Sequence, residues 1–327
     1  MADPADSVAG LPEAIRAPEQ YVPVDDLFVI STYYNPQGFQ TRKDNIAGFI
    51  RRLELSRMHW IVIECAFQEQ TFHLPASKNV LHVRGEDVMW QKERLLNLAI
   101  KGLPDHCTKI AWLDNDIIFD DPLWAVRTSE ILDDYVVVQP FEHAVMLPEK
   151  HGDYAGVGDI YQSFGRHYSK FPNSLLQGEF HLHGHPGFAW AGRRRVFDKH
   201  GFCDFFIMGG ADDVMAHAFC GDWESRCMRR QTGRNAALEE HAVKWCSKIY
   251  PEVRARVSYA PGNVLHLWHG HLRDRGYDER SPALRALGFD PQKDLELSEK
   301  GLWKFPRHRD DLRAWSRNYF RDRKEDG

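Results

Sequence analysis

KIAWLDNDIIF, residues 109–119, combines an apolar strand pattern with two carboxylates, Asp114 and Asp116. Carboxylates set between apolar segments lose hydration, and this loss must be offset by a cation or by hydrogen bonds. In open α/β sheets, ligands gather at the carboxyl ends of strands, which is where this pair is expected. The stretch therefore predicts a central strand that ends at a site for a divalent metal and a diphosphate.

The flanking sequence repeats the strand pattern and alternates it with helical patterns. Strands are predicted at LFVISTYYNP (27–36), WIVIECAF (60–67) and NVLHVRG (79–85), and helices at IAGFIRRLELSR (46–57) and VMWQKERLLNLAIKGLP (88–104). This alternation predicts an α/β protein whose mostly parallel central sheet carries helices on its faces. Such a sheet is typical of a Rossmann-like, nucleotide-binding architecture.

Composition excludes several classes of protein. The chain has 327 residues, 43% hydrophobic and 27% charged, which is typical of a globular protein and long enough for a large core. Its net charge of −5 provides no general attraction for a polyanion, so nucleic-acid binding is not expected. The six cysteines form no CxxC pair, and the chain has no HExxH motif and no Cys/His finger. Reduced thiols in the core are expected, with little support for a zinc site.

Two further segments carry residues suited to catalysis. In Gly209-Gly210-Ala211-Asp212-Asp213, paired glycines allow close backbone approach, and the carboxylates fall at a predicted helix start. Either carboxylate can act as a general base or can cap the helix. The second segment, HLWHGHLRDRGY (266–277), places histidines beside arginines. On one strand His266 and His269 would point to opposite faces, so a single metal ligand is expected from the two.

The order of these motifs resembles that of metal-dependent GT-A glycosyltransferases, closest to the β-1,4-galactosyltransferase type, with kinship to the family 2 enzymes. WQKERLLNLAI (90–100) resembles the family helix F-N-R-A-K-L-L-N-V-G, and LDNDIIF resembles its D-V-D strand. A third similarity lies in residues 185–202, HPGFAWAGRRRVFDKHGF, which resemble the family segment that runs from F-G-G-V-S-A to I-N-G-F. The family motif W-G-G-E-D-D follows that segment, and here GGADD (209–213) follows in the same order. The resemblance covers residues 27–275.

The resemblance implies roles for individual residues. Asp116 falls on the direct metal ligand, Asp114 on a contact to ribose or donor sugar, and Asp212 on the catalytic base. Reading Asp212-Asp213 as the family 2 Glu-Asp pair would instead make Asp213 the base. His269 is favoured over His266 as the third ligand. The candidate metal ligands are Asp114, Asp116, His266 and His269; the candidate substrate contacts are Thr32, Tyr33, Tyr34, Lys92, Arg94, Asn97, Asp114, Trp190, Gly210, Arg273 and Arg275.

The resemblance also implies the reaction: transfer of a hexose, with inversion, from a nucleoside diphosphate sugar to a hydroxyl group on a carbohydrate or other acceptor. A UDP-sugar is the favoured donor, with Mn²⁺ or Mg²⁺ as cofactor. Ala211 departs from the family pattern, because a Glu that contacts the acceptor usually precedes the base. Two alternatives stay open: a metal-dependent nucleotidyltransferase or phosphohydrolase, for which Asp120-Asp121 would supply a second acidic cluster, and a non-catalytic sugar-nucleotide-binding module.

The expected organisation has four parts: an N-terminal arm (1–25), a nucleotide-sugar-binding half (26–141), an acceptor and catalytic half (142–280) and a C-terminal tail packed on the domain (281–327). Residues 142–184 read as a loop-rich insert facing the acceptor. The sequence pattern predicts neither a signal peptide nor a membrane anchor. A cytoplasmic protein is expected, with peripheral attachment to a membrane as the other option.

Overall fold

The computed structural model describes residues 17–149, 159–172 and 183–327. In chain order the strands of these residues are β1 (Leu27–Tyr33), β2 (Trp60–Phe67), β3 (Val80–Gly85), β4 (Lys109–Leu113), β5 (Ile117–Phe119), β6 (Val137–Gln139), β7 (His143–Met146), β8 (Ile160–Gln162), β9 (Ala189–Arg193), β10 (Val257–Tyr259), β11 (Asn263–His266), β12 (Glu296–Leu297) and β13 (Trp303–Lys304). The α-helices are α1 (Gln40–Leu55), α2 (Lys92–Ala99), α3 (Trp124–Asp134), α4 (Phe164–Lys170), α5 (Arg194–His200), α6 (Ala211–Cys220), α7 (Arg226–Gln231), α8 (Ala236–Val253), α9 (Arg280–Ala286), α10 (Pro291–Asp294) and α11 (Asp310–Asp322).

The central sheet has seven strands in the order β10-β6-β9-β4-β1-β2-β3. All of its strand pairs are parallel except those that β9 makes with β4 and β6. Every residue of β1 and β2 is buried, as expected for parallel strands covered on both faces. The mixed α/β, Rossmann-like fold with a mostly parallel sheet is therefore confirmed.

Side-chain alternation along the strands divides the core into two large clusters. Phe28 and Ile30 of β1 pack with residues of α2, α6 and α8, whereas Leu27 and Val29 pack with residues of α1 and α3. Successive strand side chains point to opposite faces, so one short apolar run supplies both layers. These clusters hold the sheet between helices on its two sides.

The order in which strands are added to the sheet reverses between β1 and β4. From β1 the chain moves outward through β2 and β3, then returns to place β4 on the other side of β1. Such a reversal leaves a crevice beyond the carboxyl ends of the two adjacent strands. Thr32 near the end of β1 and the acidic loop after β4 therefore come together at this edge.

A smaller sheet, in the order β5-β11-β7-β8, extends this edge. β11 pairs antiparallel with β5 and parallel with β7, and the Leu267 backbone N–H donates to the Asp116 carbonyl at 2.7 Å. The segment 142–184, expected to be loop-rich, contains the short strands β7 and β8 and the helix α4. The parts of that insert at 150–158 and 173–182 lie outside the described residues.

Both ends of the described chain pack against the central domain. In the expected arm, the Tyr21 backbone N–H donates to Ser56 Oγ at 2.7 Å, and residues 1–16 lie outside the described part. Near the other end, Asp326 accepts from the backbone N–H groups of Gln40 and Thr41 at 2.9 and 2.8 Å. Helix α1 has no side-chain cap of its own, so Asp326 supplies one.

None of the helices among the described residues has the length and apolar character needed to cross a membrane.

Candidate active site

A cavity of about 290 Å³ opens at the edge where β1 and β4 end. Its wall combines these strand ends with the start of α6, the loop before β9, the end of β11 and the C-terminal segment. Predicted residues that line it are Thr32, Tyr34, Lys92, Asp114, Asp116, Gly210, Asp212, Asp213, His266, His269 and Arg275. Residues of separate predicted motifs thus face one space.

The acidic loop after β4 is fixed by backbone contacts on both sides. Asn115 Nδ2 donates to the Thr32 carbonyl at 2.8 Å, which joins the ends of β4 and β1. The Asp114 backbone N–H donates to the Phe188 carbonyl at 2.8 Å, and Phe188 has the unusual φ of 75°. A non-glycine residue in the left-handed region is uncommon, and such backbone conformations concentrate at functional sites. These contacts preorganise the two carboxylates.

Lys92 joins the acidic loop to the start of α6. Its Nζ lies 2.7 Å from Asp114 Oδ1 and 3.1 Å from Asp212 Oδ2. Burial disfavours the ammonium charge, but the two carboxylates outweigh it and raise the pKa of Lys92 well above its usual range. Lys92 is therefore a charged bridge. Asp114 pairs with Lys92 and does not belong to the cluster of Asp116, His266 and His269.

Asp116, His266 and His269 form a cluster whose ligand-type atoms all lie within 4.8 Å of one another. His269 Nε2 is 3.1 Å from Asp116 Oδ2 and 3.2 Å from His266 Nε2. Asp116 Oδ1 is buried without a hydrogen-bond partner. Burial lowers the pKa of His266 to about 3 and that of His269 to about 4, and it raises the pKa of Asp116. Neutral imidazoles are the form that binds a metal ion.

The sequence predicted a single metal ligand from these two histidines, whereas the structure places both beside Asp116. β11 ends at His266, and the chain then leaves the strand before it reaches His269. Because strand alternation stops at His266, both rings face Asp116. The cluster therefore contains both candidate histidines.

The start of α6 presents Asp212 and Asp213 to the cavity. Gly209 and Gly210, with φ of 81° and 95°, bring the backbone into the helix. The φ of Gly210 lies in a region that residues with a side chain rarely adopt, and a Cβ there would also displace the Gln231 side chain, whose Oε1 would be 2.4 Å away. Burial raises the pKa of Asp212 against the opposing influence of Lys92. Asp213 Oδ2 accepts from Gln231 Nε2 at 2.5 Å.

The sequence did not reveal a basic wall of this cavity. Among the described residues, the lining arginines are Arg42, Arg230, Arg275, Arg280 and Arg323. Arg42 and Arg323 both donate to the buried carboxylate of Glu325, at 3.0 and 2.6 Å. Apart from Arg275, these arginines belong to no common motif, so only the fold shows that they converge.

Five predicted substrate contacts lie outside the lining of this cavity. Tyr33 is buried in the core cluster on the α1 and α3 side, and Trp190 packs on Trp112 with ring centroids 6.5 Å apart. Arg94 and Asn97 both bond Asp204, at 3.0 and 2.8 Å, and so attach α2 to the segment before α6. The side chain of Arg273 is 80% exposed.

Asp120 and Asp121 also lie away from the cavity lining. Asp120 accepts from the backbone N–H and the Nδ2 of Asn263, both at 2.6 Å. Asp121 accepts from Arg127 Nε at 2.7 Å and from the Leu123 backbone N–H at 2.9 Å. Both carboxylates are therefore engaged in local structure.

Comparisons with solved structures show a distant likeness. No protein-family model matches the chain, and no curated protein matches it. The solved structure of a 4-diphosphocytidyl-2C-methyl-D-erythritol synthase from Anaerococcus prevotii DSM 20548 matches with a TM-score of 0.30 and 9% identity. The match covers 75% of this chain and 88% of that one. A likeness this slight does not indicate a shared function.

Proposed function

We propose that the protein is a metal-dependent, inverting glycosyltransferase of the GT-A type that moves a hexose from a UDP-sugar to a hydroxyl acceptor. The observation that carries the proposal is that one cavity contains the Asp116, His266 and His269 cluster, a basic wall and the Asp212 carboxylate at a helix start. These groups match the needs of the reaction: a metal ion, counter-charge for a diphosphate and a general base.

The residues at Asp116 fit a divalent metal. Its Oδ1 is buried without a partner, and the two Nε2 atoms of His266 and His269 face the same point. Mn²⁺ suits this mixed nitrogen and oxygen set better than Mg²⁺, which prefers oxygen ligands. When bound, the ion would neutralise charge on the donor diphosphate and leave positions open for its oxygens.

The basic wall suits a leaving nucleoside diphosphate. Arg275 is buried, and its Nη2 donates to the His269 carbonyl at 3.2 Å, so its guanidinium is fixed beside the ligand cluster. Arginine binds phosphate oxygens through parallel N–H groups. We assign Arg275 to the diphosphate, with Arg280 and Arg323 completing the positive wall.

Asp212 is the proposed general base. Lys92 holds its carboxylate, while burial raises its pKa toward the range that a base at neutral pH requires. Asp212 lines the cavity that also contains the Asp116, His266 and His269 cluster, so an acceptor hydroxyl bound in this cavity has access to it. The acceptor is a carbohydrate or another hydroxyl compound, and Ala211 indicates that it is held differently from acceptors of the related enzymes.

Of the two alternatives, the nucleotidyltransferase or phosphohydrolase mechanism needs a second acidic cluster for a second ion. The engagement of Asp120 and Asp121 in local structure counts against that mechanism. The second alternative is a sugar-nucleotide-binding module without catalysis. It would need no general base, so the ion pair of Lys92 and Asp212 in the cavity would have only a structural role.

The purified protein should be incubated with a panel of UDP- and GDP-hexoses, with and without Mn²⁺. We expect Mn²⁺-dependent release of UDP from one donor, because transferases of this kind pass the sugar slowly to water. The free sugar should first appear with inverted anomeric configuration by NMR. Retained configuration, release of a nucleoside monophosphate, or binding without any turnover would each contradict the proposal.

A further inference from the structure

A second cluster of ligand-type side chains lies beside the start of α6. His183, Asp213, His217 and Cys227 each direct one ligand-type atom to a common point, and these atoms all lie within 4.8 Å of one another. His183, His217 and Cys227 are buried, and Asp213 is half-buried. Asp213 and His217 lie four residues apart on α6, hence on one face of that helix. The other two come from the segment before β9 and from α7.

The orientation of His217 is set by a carboxylate behind it. Its Nδ1 lies 3.0 Å from Asp222 Oδ2, and the ring is fully buried. With the Nδ1 proton donated to Asp222, the lone pair of Nε2 faces the cluster, where it has no hydrogen-bond partner. Metal-bound histidines almost always donate their other ring N–H in this way.

His183 is held in the same manner by a backbone carbonyl. Its Nδ1 lies 2.9 Å from the Gly184 carbonyl oxygen, and its Nε2 lies 2.9 Å from Cys227 Sγ. Donation of the Nδ1 proton to the carbonyl again leaves Nε2 as the ligand atom. Both histidines therefore present the same nitrogen to the same point.

The carboxylate of Asp213 is held so that one oxygen remains available. Gln231 Nε2 donates to Oδ2, whereas Oδ1 is buried without a partner and lies 3.8 Å from His217 Nε2. That distance is too long for a hydrogen bond and is close to the separation of two ligands on one ion. Without an ion, two buried acceptors would face each other unpaired, which is unfavourable.

We propose that His183, Asp213, His217 and Cys227 bind one Zn²⁺ as a four-coordinate structural site. Two imidazole nitrogens, one thiolate and one carboxylate oxygen are ligands that zinc takes in tetrahedral sites. The thiolate disfavours Mg²⁺ and Mn²⁺, so this site and the Asp116 cluster select different metals. Binding releases the Cys227 thiol proton to solvent, with no change of oxidation state. Four protein ligands leave no position for a substrate.

The zinc would join α6, α7 and the segment before β9 directly beside Asp212. One consequence rests on the proposed function: with Asp213 bound to zinc, Asp212 is the carboxylate left to act as the base. The existence of the site itself does not depend on glycosyl transfer. Its measurement therefore requires no donor and no acceptor.

The first experiment measures zinc in the full-length protein by mass spectrometry after expression with added Zn²⁺ and dialysis. We expect about one zinc per chain, a content typical of a closed structural site. Cys227→Ser and His217→Gln should lose the metal. Cys220→Ser, a half-buried cysteine on α6 outside the cluster, and Asp116→Asn should keep it. Wild-type protein without zinc, or zinc retained by Cys227→Ser, would overturn the proposal.

A second experiment does not depend on the variants folding. Wild-type protein is stripped with a chelator and titrated with Co²⁺, which takes zinc sites and reports its ligands by absorption. A thiolate-to-cobalt band in the near ultraviolet and the intense visible bands of tetrahedral cobalt are expected at one equivalent. Weak octahedral bands without the thiolate band would place the ion elsewhere and refute the assignment. Failure of the glycosyltransferase assay would leave both metal measurements unaffected.

Discussion

The two ligand clusters differ in the elements that supply them and in their access to the cavity. Asp116, His266 and His269 lie at or after the ends of strands, and all three line the cavity. In the second cluster, Asp213 and Cys227 also line the cavity, but His183 and His217 lie behind them outside its lining, and three of the four ligands come from helices. Three ligands facing a cavity suit an ion that a substrate must share, whereas four enclosing ligands suit an ion that stays. The comparison teaches that ligand number and access, more than residue type, separate the two roles.

The largest expected effect on ligand binding is at the cluster of Asp116, His266 and His269, which is open to the cavity. Asp116→Asn should lower Mn²⁺-dependent binding of the UDP-sugar by more than about 100-fold, beyond the 10–100-fold typical of residues behind the ligands. Calorimetry with and without Mn²⁺ measures it. Asp134→Asn, an exposed carboxylate on α3, is the control and should bind normally. Undiminished binding by Asp116→Asn would remove Asp116 from the metal site.

Variants of the adjacent residues Asp212 and Asp213 distinguish most clearly between catalysis and zinc binding. Asp212→Asn should lower the single-turnover rate by about 10²–10⁴, the usual cost of losing a general base, with donor affinity and zinc content unchanged. Asp213→Asn should lose zinc and show the milder defect in rate. If Asp213→Asn is inactive but keeps zinc, and Asp212→Asn retains most activity, the base is Asp213.

Lys92 connects the acidic loop after β4 to the start of α6. Its replacement therefore tests how much this bridge stabilises the fold. Lys92→Met leaves Asp114 and Asp212 facing each other without a cation, and should lower the free energy of unfolding by about 3 kcal/mol. This is the low end of the range for broken buried pairs, because both carboxylates remain partly exposed. Urea denaturation measures the change. Lys101→Met, at an exposed lysine, is the control, and equal stability of the two variants would contradict the bridging role.

The smallest effect compares two neighbouring arginines. Arg275→Ala should weaken binding of the UDP-sugar about 10-fold, the loss expected for one charged hydrogen bond. Arg273→Ala should change it less than about twofold, because that guanidinium is exposed and lies 3.9 Å from the Asp274 carboxylate, too far for a strong ion pair. Calorimetric titration of both variants with the UDP-sugar gives the ratio of their dissociation constants. Equal losses would show that the donor reaches beyond the cavity described above.

The sequence predicted those parts of the structure that depend on local pattern. Continuous apolar runs set β2 at Trp60–Phe67 as predicted, and the acidic pair was expected at a strand end, where the structure has it. The mixed sheet and its reversal bring Arg323 to the cavity across more than half the chain, which no local pattern encodes. Helix geometry could have excluded Arg94, because two residues rotate a side chain by roughly 200° away from Lys92.

The second cluster shows a different limit of sequence reasoning. Its members have no spacing of a known zinc motif, since His183 and Cys227 lie far from the helical pair Asp213 and His217. The separation of four residues within α6 was the only local signal, and it also fits an ordinary helix. Only the folded chain shows that both histidines direct Nε2 to one point.

The capping of α1 by Asp326 has a practical consequence for how the protein is prepared. A purification tag fused after Gly327 would begin two residues after Asp326 and three after Glu325, whose carboxylate holds Arg42 and Arg323 at the cavity. Displacement of this segment would remove the cap of α1 and the carboxylate that orients Arg42 and Arg323. An attachment point away from Glu325 and Asp326, for purification or immobilisation, avoids these contacts and is the one to use for activity measurements.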